Sequence, residues 1–135
     1  MTSIFNEFFN LGKDDREPAK IEYMNEYNPD QDNVKIIAKI YGRVQGVGFR
    51  FTTVQLAKEL DINGFVRNEG DGSVYVEASA KKEPMESFIM ELAKGPSPSA
   101  DVKKVIIEYD DSLENYQGFT NQYWYIGKLP LSYQC

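Results

Sequence analysis

Two short segments carry the residue types that chemistry needs: residues 42–50 read GRVQGVGFR and residues 64–68 read GFVRN. Glycines at 42, 46 and 48 let the backbone take φ > 0 and turn its N–H groups inward, because no Cβ obstructs that conformation. The first segment follows a strand-like run and opens into a helix-like one, and such a nest at a helix N-terminus binds anions, above all phosphate. Arg50, at the start of that helix, adds a planar two-pronged donor for the same oxygens. Asn68 closes the next strand and brings an uncharged amide able to hold a water. The combination suits a phosphate-handling site built for hydrolysis.

The surrounding elements must bring those segments together. Residues 34–41 (VKIIAKIY) are β-rich and partly alternating, a strand. Residues 51–60 place Val54, Leu56, Ala57 and Leu60 at helical spacing. Residues 62–68 read as a second strand, 69–72 (EGDG) as a tight hairpin turn, and 73–80 as a third strand. Residues 84–94 form an amphipathic helix with Met85, Phe88, Ile89 and Leu92 as its apolar face; Pro84 suits the first turn, and Gly95 with Pro96 stops it. Residues 101–109 are a fourth strand and 119–126 a fifth. The order βαββαβ predicts an α+β, ferredoxin-like sandwich with two helices on one face of a four- to five-stranded, mostly antiparallel sheet. In that plan the first two strands are parallel, with room for another between them, and their C-terminal ends share one edge. Loop 43–48 and Asn68 are therefore expected neighbours, although 18 positions separate Arg50 from Asn68.

Composition narrows the chemistry. The chain has no histidine, which removes Ser-His and Cys-His nucleophilic schemes, histidine phosphotransfer and imidazole-bound zinc. Its single cysteine, Cys135, supports neither a disulfide framework nor a thiolate cluster. Residues 1–33 carry eight acids and three bases, net −5, and read as an acidic N-terminal extension, partly disordered or docking through Phe5, Phe8 or Phe9. Residues 34–126 are the expected domain and 127–135 a C-terminal tail. Residues 34–135 carry thirteen acids and twelve bases, so anion binding there must come from local geometry rather than a global field. A net charge of −6 argues against an extended nucleic-acid surface. The aromatics Tyr109, Tyr116, Phe119, Tyr123, Trp124 and Tyr125 read as core and edge packing rather than a base-stacking platform. No apolar run reaches the ~18 residues of a membrane span, so a cytoplasmic protein is expected, a monomer rather than an oligomer.

Residues 34 to about 125 resemble an acylphosphatase. GRVQGVGFR at 42–50 is similar to the family's G-x-V-Q-G-V-x-F-R signature throughout, and GFVRN at 64–68 followed by DGSV at 71–74 to its second motif, G-x-V-x-N then D-G-x-V. Lys94, Gly95 and Pro96, then Ala100, Asp101 and Val102, match the usual approach to the fourth strand, and Gly118 with Phe119 the start of the fifth. The family commonly has tryptophan where this chain has Phe65, and residues 1–33 and 127–135 lie outside its pattern. The resemblance implies hydrolysis of acyl phosphates, small-molecule carboxyl-phosphate anhydrides, without metal or organic cofactor. By position it makes Arg50 and Asn68 the catalytic residues. Arg43, Val44, Gln45, Gly46, Val47 and Gly48, with Arg50, form the phosphate-binding set.

That chemistry suits the residues. The carboxylate of an acyl phosphate leaves readily, so two tasks remain: matching the phosphoryl charge and placing a water in line with the leaving oxygen. Backbone N–H groups and a guanidinium meet the first, and an amide meets the second. The alternative is a non-catalytic phosphate- or acyl-phosphate-binding regulatory module that keeps the cradle without turnover.

Overall fold

The structure, a computed structural model, describes residues 16–122 of the 135. Its elements run β1 (Lys20–Tyr23), β2 (Asn33–Arg43), α1 (Phe49–Glu59), β3 (Asn63–Asn68), β4 (Val74–Lys81), α2 (Lys82–Lys94), β5 (Asp101–Tyr109) and β6 (Phe119–Gln122). Side chains alternate across a strand, so β2 sends Val34, Ile36, Ala38 and Ile40 into the core and its lysines to the other face. β4 adds Val74, Val76 and Ala78, and β5 adds Val105 and Ile107. Helix α2 covers them with Met85, Phe88, Ile89, Leu92 and Ala93, one stripe of a 3.6-residue period, and ends at Gly95 with φ 90°. Each large side chain fully buried here contributes about 1.5–3 kcal/mol of transfer free energy.

Helix α1 starts at Phe49, two residues before the periodic signal, and buries Phe49, Thr53, Leu56 and Ala57. Phe49 is only 1% exposed, so its ring pins the helix start to the core. One aromatic directly after a glycine loop leaves no periodic trace by which the sequence could announce it.

The sheet order is β1-β5-β2-β4-β3-β6. β4 pairs antiparallel with both β2 and β3, so these two are parallel and their C-terminal ends share an edge. The sheet has six strands where four or five were expected. Both outermost pairings, β1 with β5 and β3 with β6, are parallel. The additional strand is β1, four residues within the acidic extension and too short to show alternation. It is held on both sides of its length. The Asn25 side chain continues the ladder, its Nδ2 donating to Tyr109 O (3.0 Å) and its Oδ1 accepting from Tyr109 N (2.8 Å). At the other end Arg16 donates to Ala100 O (2.9 Å) and Pro98 O (3.2 Å). The phenylalanines at 5, 8 and 9 and the tail 127–135 lie outside the described residues, and the strand expected over 119–126 is described as far as Gln122.

Candidate active site

The chain leaves β2 at Arg43 and reaches α1 through residues 44–48. Val44 is buried and roots this loop in the core, while the partly buried Val47 packs against it. Gln45 ties the loop sideways: its Nε2 donates to Glu69 O and Ser73 O, each at 2.8 Å, in the turn between β3 and β4. That turn is itself closed. Glu69 N donates to Ser73 O (2.9 Å), and the Asp71 carboxylate accepts from Ser73 N (2.9 Å) and Ser73 Oγ (2.5 Å). The bonds from Ser73 favour the charged form and hold the Asp71 carboxyl below its ordinary pKa, as suits a turn former.

With the loop anchored, Gly46 and Gly48 take φ 74° and 79°, left-handed values that cost a side-chain-bearing residue about 1–2 kcal/mol. Gly48 is the N-cap of α1, no side chain caps that end, and no acid stands in the first turn. The first-turn N–H groups and the positive end of the helix dipole therefore face the loop without a carboxylate competing for them. Arg50 stands half-buried in the same turn, and its Nη1 makes a long, 3.4 Å hydrogen bond to Gln122 O on β6. Asn68 ends β3 with its Oδ1 fully buried and without a hydrogen-bond partner among the described residues. A buried acceptor left unmatched is rare, because it costs about 1–3 kcal/mol, and it marks a place for a donor from outside.

These groups enclose a cavity of ≈ 160 Å³ lined by Val44, Gly46, Gly48, Phe49, Arg50, Phe51, Asn68 and Asn121. Of the residues singled out in the sequence, Val44, Gly46, Gly48, Arg50 and Asn68 meet there. Arg43, Gln45 and Val47 do not line it. Arg43 is exposed opposite Asp101 in the β2–β5 ladder, and the Gln45 side chain is spent on the neighbouring turn. Arg67 also turns away. Strand alternation puts it on the opposite face from Asn68, where it pairs with Glu69 (2.6 Å) and lies 4.4 Å from the Tyr75 ring centre.

Sequence reasoning missed Phe51 and Asn121. Asn121 pairs with Val66 in the β3–β6 ladder and so shares the face of Asn68. Only the placement of β6 beside β3 could have found it. Among the described residues no group of three or more His, Cys, Asp or Glu side chains could hold a metal ion.

The role of Gln45 is testable here. Gln45→Ala removes two hydrogen bonds between loop and turn and is expected to cost about 1–3 kcal/mol. The melting temperature should fall by several degrees, and phosphate should bind more weakly to a loosened loop. Unchanged melting and phosphate affinity would show that the clamp is dispensable.

The family model described as "Acylphosphatase" matches residues 36–121. An acylphosphatase of Enterococcus faecalis is 45% identical over 85 residues, covering 63% of this chain and 93% of that protein. One of Salinibacter ruber is 44% identical, covering 63% and 88%. Among solved structures, the acylphosphatase from Bacillus subtilis superposes with a TM-score of 0.64 at 31% identity, covering 67% of this chain and 99% of that one. The acylphosphatase from Coxiella burnetii gives 0.63 at 31% identity, covering 67% and 94%.

Proposed function

The chain belongs to the acylphosphatase family and is an enzyme that hydrolyses acyl phosphates, and from that premise we propose a role for each residue of the cavity. The phosphoryl group sits against the N–H groups of the 46–48 turn and the first turn of α1, with its charge met by the Arg50 guanidinium. The bond from Nη1 to Gln122 O ties that guanidinium to β6 beside the cavity. A water donates one O–H to Asn68 Oδ1, which leaves an oxygen lone pair directed at phosphorus. Attack forms the new P–O bond as the carboxylate leaves with the electron pair of the old one, and the water's proton ends on phosphate or solvent. The observation that carries this reading is the buried, unpartnered Asn68 Oδ1 inside a cavity whose other walls suit an anion.

The backbone N–H groups and the guanidinium already supply the positive field that a metal would otherwise bring, so the reaction needs no metal. The reading extends to a cytoplasmic monomer whose ligand is the small acyl phosphate rather than nucleic acid or membrane. The net charge of −6 supports the exclusion of nucleic acid, and no described helix is long and apolar enough to cross a membrane.

Phosphate release from acetyl phosphate or benzoyl phosphate, followed with EDTA present, tests the site. Turnover should continue unchanged, with inorganic phosphate or sulfate as competitive inhibitor. Activity lost to EDTA and restored by a divalent cation would overturn the metal-free reading. Tight phosphate binding without turnover would favour a binding module instead.

A further inference from the structure

At the sheet edge remote from β6, the strand that the family match leaves out builds a second cavity, ≈ 700 Å³ in volume, between β1, the chain after it, β5 and α2. That volume lies within the ~300–1,000 Å³ of small-molecule sites. Its walls are aromatic. Tyr23 and Tyr109 lie nearly parallel, 7° apart with ring centres at 6.2 Å, and Tyr27 meets Tyr109 edge-on at 69° and 5.2 Å. Two ring planes so inclined make a corner, and Tyr23, which also lines the cavity, is 53% exposed. Ile89 and Met90 contribute apolar lining from α2.

The charged groups lining it have one sign: Glu26 and Glu86, neither of them ion-paired among the described residues. Both line the same cavity as the tyrosine rings, whose faces attract positive charge through their quadrupoles. Burial together with Glu86 and the neighbouring tyrosines raises the Tyr23 and Tyr109 hydroxyls, the latter to about 12, so both rings stay neutral at ordinary pH. One cation–π contact is present beside the cavity: Lys82 Nζ lies 5.3 Å from the Tyr27 ring centre and donates to Pro29 O.

We propose that this groove is a second, non-catalytic binding site for a small organic cation bearing a quaternary ammonium group. Charge complementarity selects a cation. The aromatic corner selects a quaternary one, because methylated nitrogen loses little hydration on entering an apolar corner, whereas a primary ammonium is strongly hydrated. The groove is rigidly built for a site on an extension, since Asn25 pins the chain to Tyr109 by both its amide groups.

Choline added to the full-length protein tests this, with 3,3-dimethylbutan-1-ol as the neutral isostere in which carbon replaces nitrogen. In amide NMR spectra choline is expected to shift residues 20–28, 86–90 and 109 and to leave Gly46, Gly48 and Asn68 in place. The isostere should bind at least about tenfold more weakly, the order of one desolvated cation–π contact. Tyr23→Leu, which keeps apolar bulk and removes the ring face, should weaken choline severalfold while Tyr23→Phe does not. Glu86→Gln should weaken it by a smaller factor. Hydrolysis of acetyl phosphate serves as the folding control for each variant. Equal binding of the isostere would overturn the proposal and mark a plain apolar groove for some hydrophobic segment. Choline shifts confined to the catalytic cavity, or none at all, would overturn it as well.

Discussion

Arg50→Ala is expected to abolish most of the activity, lowering kcat/KM by about 10³–10⁵, the worth of an arginine that meets developing charge on a phosphoryl group. The guanidinium is placed to touch the phosphoryl oxygens in the bound substrate and again as charge redistributes. Both KM and kcat should therefore suffer, and inorganic phosphate should lose affinity in parallel. Arg50→Lys should rescue poorly, because an ammonium is a point charge and cannot reproduce a planar fork. Arg50 also bonds Gln122 O on β6 (3.4 Å), so a melting curve separates the loss of that tie from the loss of chemistry. Steady-state kinetics with phosphate inhibition, set beside a melting curve, checks all of these outcomes. An alanine variant that keeps its phosphate affinity would remove Arg50 from the cradle.

Asn68→Ala should produce a different pattern. Asn68 Oδ1 holds only the attacking water in this reading, so kcat should drop by roughly 10²–10³, the usual cost of one preorganised hydrogen-bonding group. KM and the phosphate inhibition constant should stay within about threefold. Stability should hold or rise slightly, because the substitution deletes a buried acceptor that has no partner among the described residues. That combination separates a water-holding amide from a structural one, whose loss would lower stability and activity together. If Asn68→Ala turns over normally, or loses phosphate as badly as Arg50→Ala, the water belongs elsewhere. Asn121, on the same face of the adjacent strand, is then the next candidate.

Most of the frame was legible because it rests on local periodicity. The alternation of Val34, Ile36, Ala38 and Ile40, and the helical spacing of Met85, Phe88, Ile89 and Leu92, record which face each element buries. The 101–109 strand falls where its pattern put it, and Gly95 stops α2 through its positive φ. The start of α1 was misplaced by two residues, because the anchoring of Phe49 is a tertiary contact with no period of its own.

The sequence by itself determined that a glycine turn precedes α1, since only glycine takes the left-handed turns at 46 and 48 without strain. It also determined that Asn68 would end near that loop, since a right-handed crossover with a strand between leaves the ends of β2 and β3 on one edge. Tertiary structure alone decided the rest. Gln45 sits in the glycine-rich motif, yet its amide reaches the β3–β4 turn, because two carbonyls 24 and 28 positions away offer it partners. Asn121 enters the site through the parallel pairing of β6 with β3, and β1 joins the sheet because β5 had an open edge to fill. Hydrogen bonds to a sheet edge are made by backbone that every residue shares, so the side chains of a four-residue strand hold no record of which edge it will find.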